Sequence, residues 1–174
     1  MRYAIYFIPA LDGALWRFGS GAVGYDSASG RDLPFPGGSE LPEEVLAEIT
    51  AEPRRYGFHG TLKPPFPLAD GIVAKELTAA VKAFARKQAP FTIPALDVAT
   101  LGRFLALVPQ APVVELDRLA ADCVVAFEPF RAPLSETDRA RRLSKLLTPR
   151  QIGYVDRWGY PYVFEEFRFH MTLT

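Results

Sequence analysis

One five-residue pattern is written twice in this chain, as Phe58-His59-Gly60-Thr61-Leu62 and as Phe169-His170-Met171-Thr172-Leu173. The two copies use both of the histidines in the sequence. Neighbouring side chains on a β-strand point to opposite faces, so His59 and Thr61 share one side while Phe58, Gly60 and Leu62 share the other. In the second copy His170 and Thr172 face one way, and Phe169, Met171 and Leu173 the other. A fold for this chain must therefore hold two strands, distant in sequence, each with an apolar side for the core and a side bearing imidazole and hydroxyl. Extending the parity adds Lys63 to the first polar side, and Arg168 and Thr174 to the second.

That polar side suits a phosphate or another oxyanion. Hydroxyl and cationic donors satisfy non-bridging oxygens, and an imidazole moves protons near neutral pH. Ordinary amphipathic strands facing water are the alternative for one such motif; two copies that consume every histidine argue against it. A zinc site is poorly served, because two histidines without nearby cysteine or carboxylate in ligand spacing make a thin shell, and threonine is a poor ligand. No metal and no other cofactor is expected.

Around these strands the pattern alternates. Residues 3–8 read as a central strand ending at Pro9, 12–24 as a weak helix and 25–39 as a loop. A short helix fits 42–49, with Pro42 at its start. The first motif lies on a strand over 56–63, closed by Pro64-Pro65. Apolar residues at i, i+3, i+4 and i+7 predict a helix over 74–87, and the same spacing predicts a longer one over 112–127 that turns Cys123 to the core. Segments 91–100 and 103–108, split by Leu101-Gly102, resemble a hairpin. A basic helix is expected over 135–147, an irregular aromatic stretch over 150–165, and a last strand over 167–173. Strands interleaved with helices indicate α/β or α+β rather than a sandwich or a bundle.

Composition narrows the setting. A length of 174 residues suits one domain. Twenty basic residues against twenty acidic give a net charge of zero, which disfavours a generally basic nucleic-acid coat but leaves a local basic cleft open. One cysteine excludes an intrachain disulfide framework, and no apolar run is long enough to span a bilayer. A soluble, cytoplasmic protein is expected. The run Gly19-Ser20-Gly21-Ala22-Val23-Gly24 matches G-x-G-x-x-G formally but has no strand before it in a βαβ unit, so it does not mark a dinucleotide site.

The twin His59-Gly60-Thr61-Leu62 and His170-Met171-Thr172-Leu173 motifs resemble those of the two-histidine phosphoesterase superfamily. The stretches RYAIYF at 2–7, EPRRYGFHGTLKPPF at 52–66, DCVVAFEPFRAPL at 122–134 and RWGYPYVFEEFRFHMTLT at 157–174 resemble more closely a phosphodiesterase family encoded beside carbon–phosphorus lyase genes in bacterial phosphonate-use operons. The resemblance covers most of the chain. It implies an α+β fold of duplicated α/β type: a single bilobal, pseudo-twofold domain over 1–174. The two motif strands would face each other across a central cleft between antiparallel-rich sheets. It also implies metal-independent action on 2′-5′ or cyclic phosphodiester bonds, with a cyclic ribose phosphate as the substrate suggested by the operon. The chain stops two residues after Thr172 while members of that family continue, so a chain cut there would lack a strand pairing with 167–173.

The expected chemistry is hydrolysis of a cyclic phosphodiester. His59 and His170 would act as base and acid, in an order the symmetric motif does not fix, and Thr61 and Thr172 would bind the non-bridging oxygens. Lys63 and Arg168 are the candidate phosphate cations by parity, with surface ion pairs as the alternative. Tyr160, near Trp158 and Tyr162, is a candidate platform for a sugar or base, with core packing as the alternative. The expected partner is a small cyclic phosphate; nucleic acid is the lesser candidate, no membrane is expected, and oligomeric state is not legible. Two competing functions remain: a 2′-5′ RNA ligase-like enzyme or 2′,3′-cyclic phosphodiesterase acting on RNA ends, and a non-catalytic protein that binds a phosphorylated metabolite.

Overall fold

The computed structural model describes all 174 residues. Its strands are β1 (Tyr3–Phe7), β2 (Tyr25–Asp26), β3 (Arg31–Asp32), β4 (Gly60–Phe66), β5 (Leu96–Leu101), β6 (Phe104–Pro109) and β7 (Met171–Thr172). Its helices are α1 (Ala14–Val23), α2 (Glu43–Ile49), α3 (Ala51–Arg54), α4 (Ala74–Ala85), α5 (Val114–Ala126), α6 (Glu136–Leu143) and α7 (Pro149–Trp158). Five strands form one sheet in the order β1-β4-β7-β6-β5, and β2 pairs with β3. The β4–β7, β7–β6 and β6–β5 pairings are antiparallel. The class is therefore α+β. No helix is long and apolar enough to cross a membrane.

The chain divides into two compact units. The first holds Met1–Ile5, Leu62–Ile93 and Val113–Phe169; the second holds Tyr6–Thr61, Pro94–Pro112 and His170–Thr174.

In the first unit, the apolar stripes read from the sequence become a core of Leu77, Leu116, Ala120, Cys123, Val124 and Phe127, all buried. Phe84 meets Phe127 edge-on at 5.3 Å between ring centroids, the favoured arrangement of two ring quadrupoles. Cys123 is buried as its helical phase requires. The Ser135 hydroxyl caps α6 by accepting from the Asp138 amide. Residues 150–165, expected to be irregular, instead begin inside α7. Thr148 and Gln151 close a capping box around Pro149, and Gly159 at φ 75° ends the helix. Those two local devices outweigh the poor helix propensity of Gly153 and the aromatic residues.

In the second unit, Trp16, Val23, Phe58, Ala106, Leu107, Met171 and Leu173 are buried. The hairpin of β5 and β6 turns at Gly102-Arg103, with Leu101 opposite Phe104. The expected loop over 25–39 contains the small β2–β3 hairpin, whose turn is held by the Asp26 carboxylate accepting from the Ala28 amide and the Ser29 hydroxyl. Gly19 on α1 lies flush against Phe58, leaving no room for a side chain at that position.

Strand boundaries differ from the sequence reading at β4, at β5, which starts at Leu96 rather than at residue 91, and at the last strand. β4 starts at Gly60 and continues through Pro64-Pro65 instead of ending before them. Its pairing with β7 is at Gly60, so the prolines lie where no amide is needed for that ladder. The last strand is Met171–Thr172 alone rather than 167–173. A single 3-10 turn at Phe164–Glu166 and the extended residues after it occupy the approach.

Candidate active site

The family resemblance implied two motif strands facing each other across a cleft; the structure sets them side by side in one sheet. β7 lies between β4 and β6, and Gly60 pairs with Met171 in antiparallel register. Carrying that register one residue either way puts His59 opposite Thr172 and Thr61 opposite His170. Gly60 and Met171 turn to the buried side, and the four polar residues take the other, part-exposed side. Directly opposed side chains on such a pair have Cβ atoms about 4.5–5.5 Å apart, close enough for all four to touch one small ligand. Packing dictates the parity: Phe58, Leu62, Phe169, Met171 and Leu173 are each less than a tenth exposed.

His59 is the better defined of the two imidazoles. Its Nδ1 lies 2.8 Å from the Gly57 carbonyl oxygen. A carbonyl only accepts, so Nδ1 carries the proton and Nε2 holds the free lone pair of the neutral ring. Gly57 can aim that carbonyl because it sits at φ 75°, and a Cβ there would strike the Ser27 side chain. The Tyr6 ring stacks on His59 with centroids 3.7 Å apart and planes 26° apart, fixing the imidazole plane. Burial pushes the His59 pKa below that of an ordinary histidine; the Gly57 hydrogen bond opposes this and the neighbouring His170 adds to it. His170 contacts the Phe104 ring at 5.7 Å.

A cavity of about 430 Å³ opens onto the His59–Thr172 half of this cluster and is lined by those two residues with Tyr56, Phe104, Glu48 and Glu52, among others; Thr61 and His170 do not line it. Such a volume is ordinary for a small-molecule site. Thr174, on the same parity as Thr172, also lines it, but its hydroxyl accepts from the Leu105 amide at 3.0 Å and so extends the pairing of β7 with β6. No group of three or more His, Cys, Asp or Glu side chains is arranged to hold a metal ion.

The three flanking candidates go elsewhere. Lys63 is 2% exposed, and its Nζ donates to the Val124 carbonyl at 2.7 Å and to Glu128 at 2.9 Å. It is a neutralised core cation of the first unit rather than a ligand-facing one, because the continuing strand passes beneath α5. The Arg168 side chain donates to the backbone carbonyls of Glu165 and Phe167. Tyr160 packs edge-on against Tyr162 and under the Arg142 guanidinium. Neither Arg168 nor Tyr160 lines the histidine cavity. Sequence reasoning missed Tyr6, Tyr56, Phe104 and the Gly57 carbonyl. Only Tyr6 had a sequence signal, as an aromatic on a strand able to pair with the first motif strand.

Together these features describe an α+β protein with a paired His-x-Thr cluster on one sheet face, beside a cavity of metabolite size. The chain belongs to the family described as "Protein of unknown function (DUF1045)", whose profile matches residues 61–174. That match contains the whole second motif and begins two residues after His59. The chain is 40% identical over 173 residues to a protein of Janthinobacterium sp. (strain Marseille) named ribose 1,5-bisphosphate phosphokinase PhnN, covering 99% of this chain and 38% of that one. It is 36% identical over 174 residues to a protein of the same name from Laribacter hongkongensis (strain HLHK9), covering 100% of this chain and 40% of the relative. The chain thus spans about two fifths of the length of these curated relatives. No solved structure matches it.

Proposed function

We propose that the chain is a phosphodiesterase of the two-histidine type, hydrolysing a cyclic phosphodiester of a ribose phosphate or nucleotide by metal-independent acid–base catalysis. The observation that carries this is the β4–β7 register, which groups His59, Thr172, Thr61 and His170 on one face. His59 acts as the base: its Nε2 lone pair takes a proton from water as the water oxygen attacks phosphorus. The bond from phosphorus to one ring oxygen breaks, and His170 delivers the proton that oxygen needs. Thr61 and Thr172 donate to the non-bridging oxygens as charge gathers there. The product is a ring-opened phosphomonoester.

A ribose phosphate substrate is supported from two sides: the resemblance to proteins of phosphonate-use operons, and the name of the two relatives, which concerns a ribose bisphosphate. The phosphokinase activity in that name belongs, on our reading, to the part of those proteins that this chain does not cover. No glycine of this chain is followed by lysine, so the Gly-Lys of a phosphate-cradling P-loop is not built from these residues.

The test is phosphorus NMR of the chain in excess chelator with ribose 1,2-cyclic phosphate 5-phosphate and, separately, nucleoside 2′,3′-cyclic phosphates. Turnover should survive the chelator and fall by roughly 10²–10⁴-fold in His59→Ala and in His170→Ala. Every substrate left intact by the wild-type chain would refute the proposal.

A further inference from the structure

The first unit carries a second concentration of polar chemistry that the histidine cluster does not use. A cavity of about 10 Å³ is lined by Arg2, Lys63, Arg131 and Arg142, with Asp138 as its one carboxylate. The charges around it do not balance. Glu128 holds both Lys63 and Arg131, while Asp138 holds Arg2 through two 2.7 Å bonds and Arg141 through a third at 2.8 Å. Four cations thus share two carboxylates, and a fifth, Arg142, is left over. Its Nε is buried with no hydrogen-bond partner. Its guanidinium lies 5.1 Å over the Tyr160 ring, which orients the group without accepting from Nε.

A buried N–H left without an acceptor is costly, more so when it is charged, so such a group marks a place where an acceptor belongs. The proline-rich wall of Pro64, Pro65 and Pro67 and the Trp158 ring beside it limit water and strengthen any ionic bond formed there. The volume admits a single water-sized atom, so a ligand presents one oxygen to the cavity rather than entering whole. A guanidinium fork favours oxyanions with oxygens in a fixed arrangement.

We propose that Arg142, supported by Arg2 and Arg131, forms an oxyanion site that takes one oxygen of a phosphomonoester. The site belongs to the first unit and does not depend on the histidine reading, so its failure or success leaves that reading where it stands.

The experiment titrates inorganic phosphate, ribose 5-phosphate and unphosphorylated ribose into the wild-type chain by calorimetry at constant ionic strength. In parallel, the Arg142 Nε–Hε resonance is followed by ¹⁵N NMR. Both phosphates should bind saturably and ribose should not, and the Nε signal should move with the same midpoint. Arg142→Gln should weaken phosphate at least tenfold, whereas Arg118→Gln, on an exposed helix face, should not. The NMR arm needs no variant and so holds even if Arg142→Gln fails to fold. No saturable phosphate binding, an unmoved Nε resonance, or binding unchanged in Arg142→Gln would each overturn the proposal. Binding of inorganic phosphate without ribose 5-phosphate would overturn the phosphomonoester assignment.

Discussion

Gly19→Ala would usually stabilise a helix, and here it should do the opposite. Alanine in place of glycine inside a helix contributes about 0.8–1.0 kcal/mol through backbone entropy alone. At Gly19, however, the new methyl would overlap three carbons of the Phe58 ring. Phe58 is 0% exposed, and the residue after it is His59, so the ring has no free direction in which to retreat. Overpacking of a tight core costs about 1–3 kcal/mol, and a collision with a rigid ring lies at or above the top of that range. The net effect should be a loss of about 2 kcal/mol, or a fall in Tm of roughly 4–8 °C at this chain length.

The assay is equilibrium urea unfolding followed by circular dichroism, on Gly19→Ala, Phe58→Leu and the double variant. Leucine at 58 removes the ring edge that the methyl strikes, so the double variant should be more stable than the sum of the singles predicts, by about 1 kcal/mol or more. Because the ring adjoins His59, Gly19→Ala should also slow turnover, and the double variant should recover part of it. A Gly19→Ala chain as stable as wild type, or strict additivity of the two changes, would refute the packing argument.

Two further outcomes are expected. The His59 pKa is depressed in the fold, so between it and the unfolded value of about 6.5 the unfolded chain binds more protons than the folded one. Stability should therefore fall as pH drops below about 6.5, His59→Gln should flatten that slope, and the acidic limb of turnover should have its midpoint below 6.5; a midpoint above 6.5 would contradict His59 as the neutral base. Burial pushes the Cys123 thiol up to about 12, so Ellman's reagent at pH 8 should leave it unmodified in the native chain and react fully in denaturant. Stoichiometric reaction of the native protein within minutes would show that α5 opens far more readily than its packing suggests.

Much of the architecture was legible because it rests on local rules. The stripes of α4 and α5 and the alternation of the two F-H-x-T-L segments follow from side-chain periodicity alone, and the hairpin near Gly102 follows from turn chemistry. The signal for α7 was also local: Thr148-Pro149-Arg150-Gln151 is a capping box with proline in the first turn, hidden behind an aromatic-rich composition. The β2–β3 hairpin was too short to stand out from a loop of glycine, serine and aspartate.

What the sequence by itself determined is the pairing of imidazole with hydroxyl on one face of each motif strand, because strand parity leaves no other arrangement once Phe58, Leu62, Phe169 and Leu173 are buried. Parity also predicted a cation beside His59, and there it failed. A strand twists and runs on under a different neighbour, so Lys63 ends against Val124 and Glu128 instead of facing a ligand. Strand order is a long-range choice in the same way: nothing local says that β7 inserts between β4 and β6, yet that insertion alone brings His59 and His170 together. The proton on His59 Nδ1, its stacking on Tyr6 and the unsatisfied Nε of Arg142 are likewise properties of neighbours brought from elsewhere in the chain. Only the tertiary structure decides them.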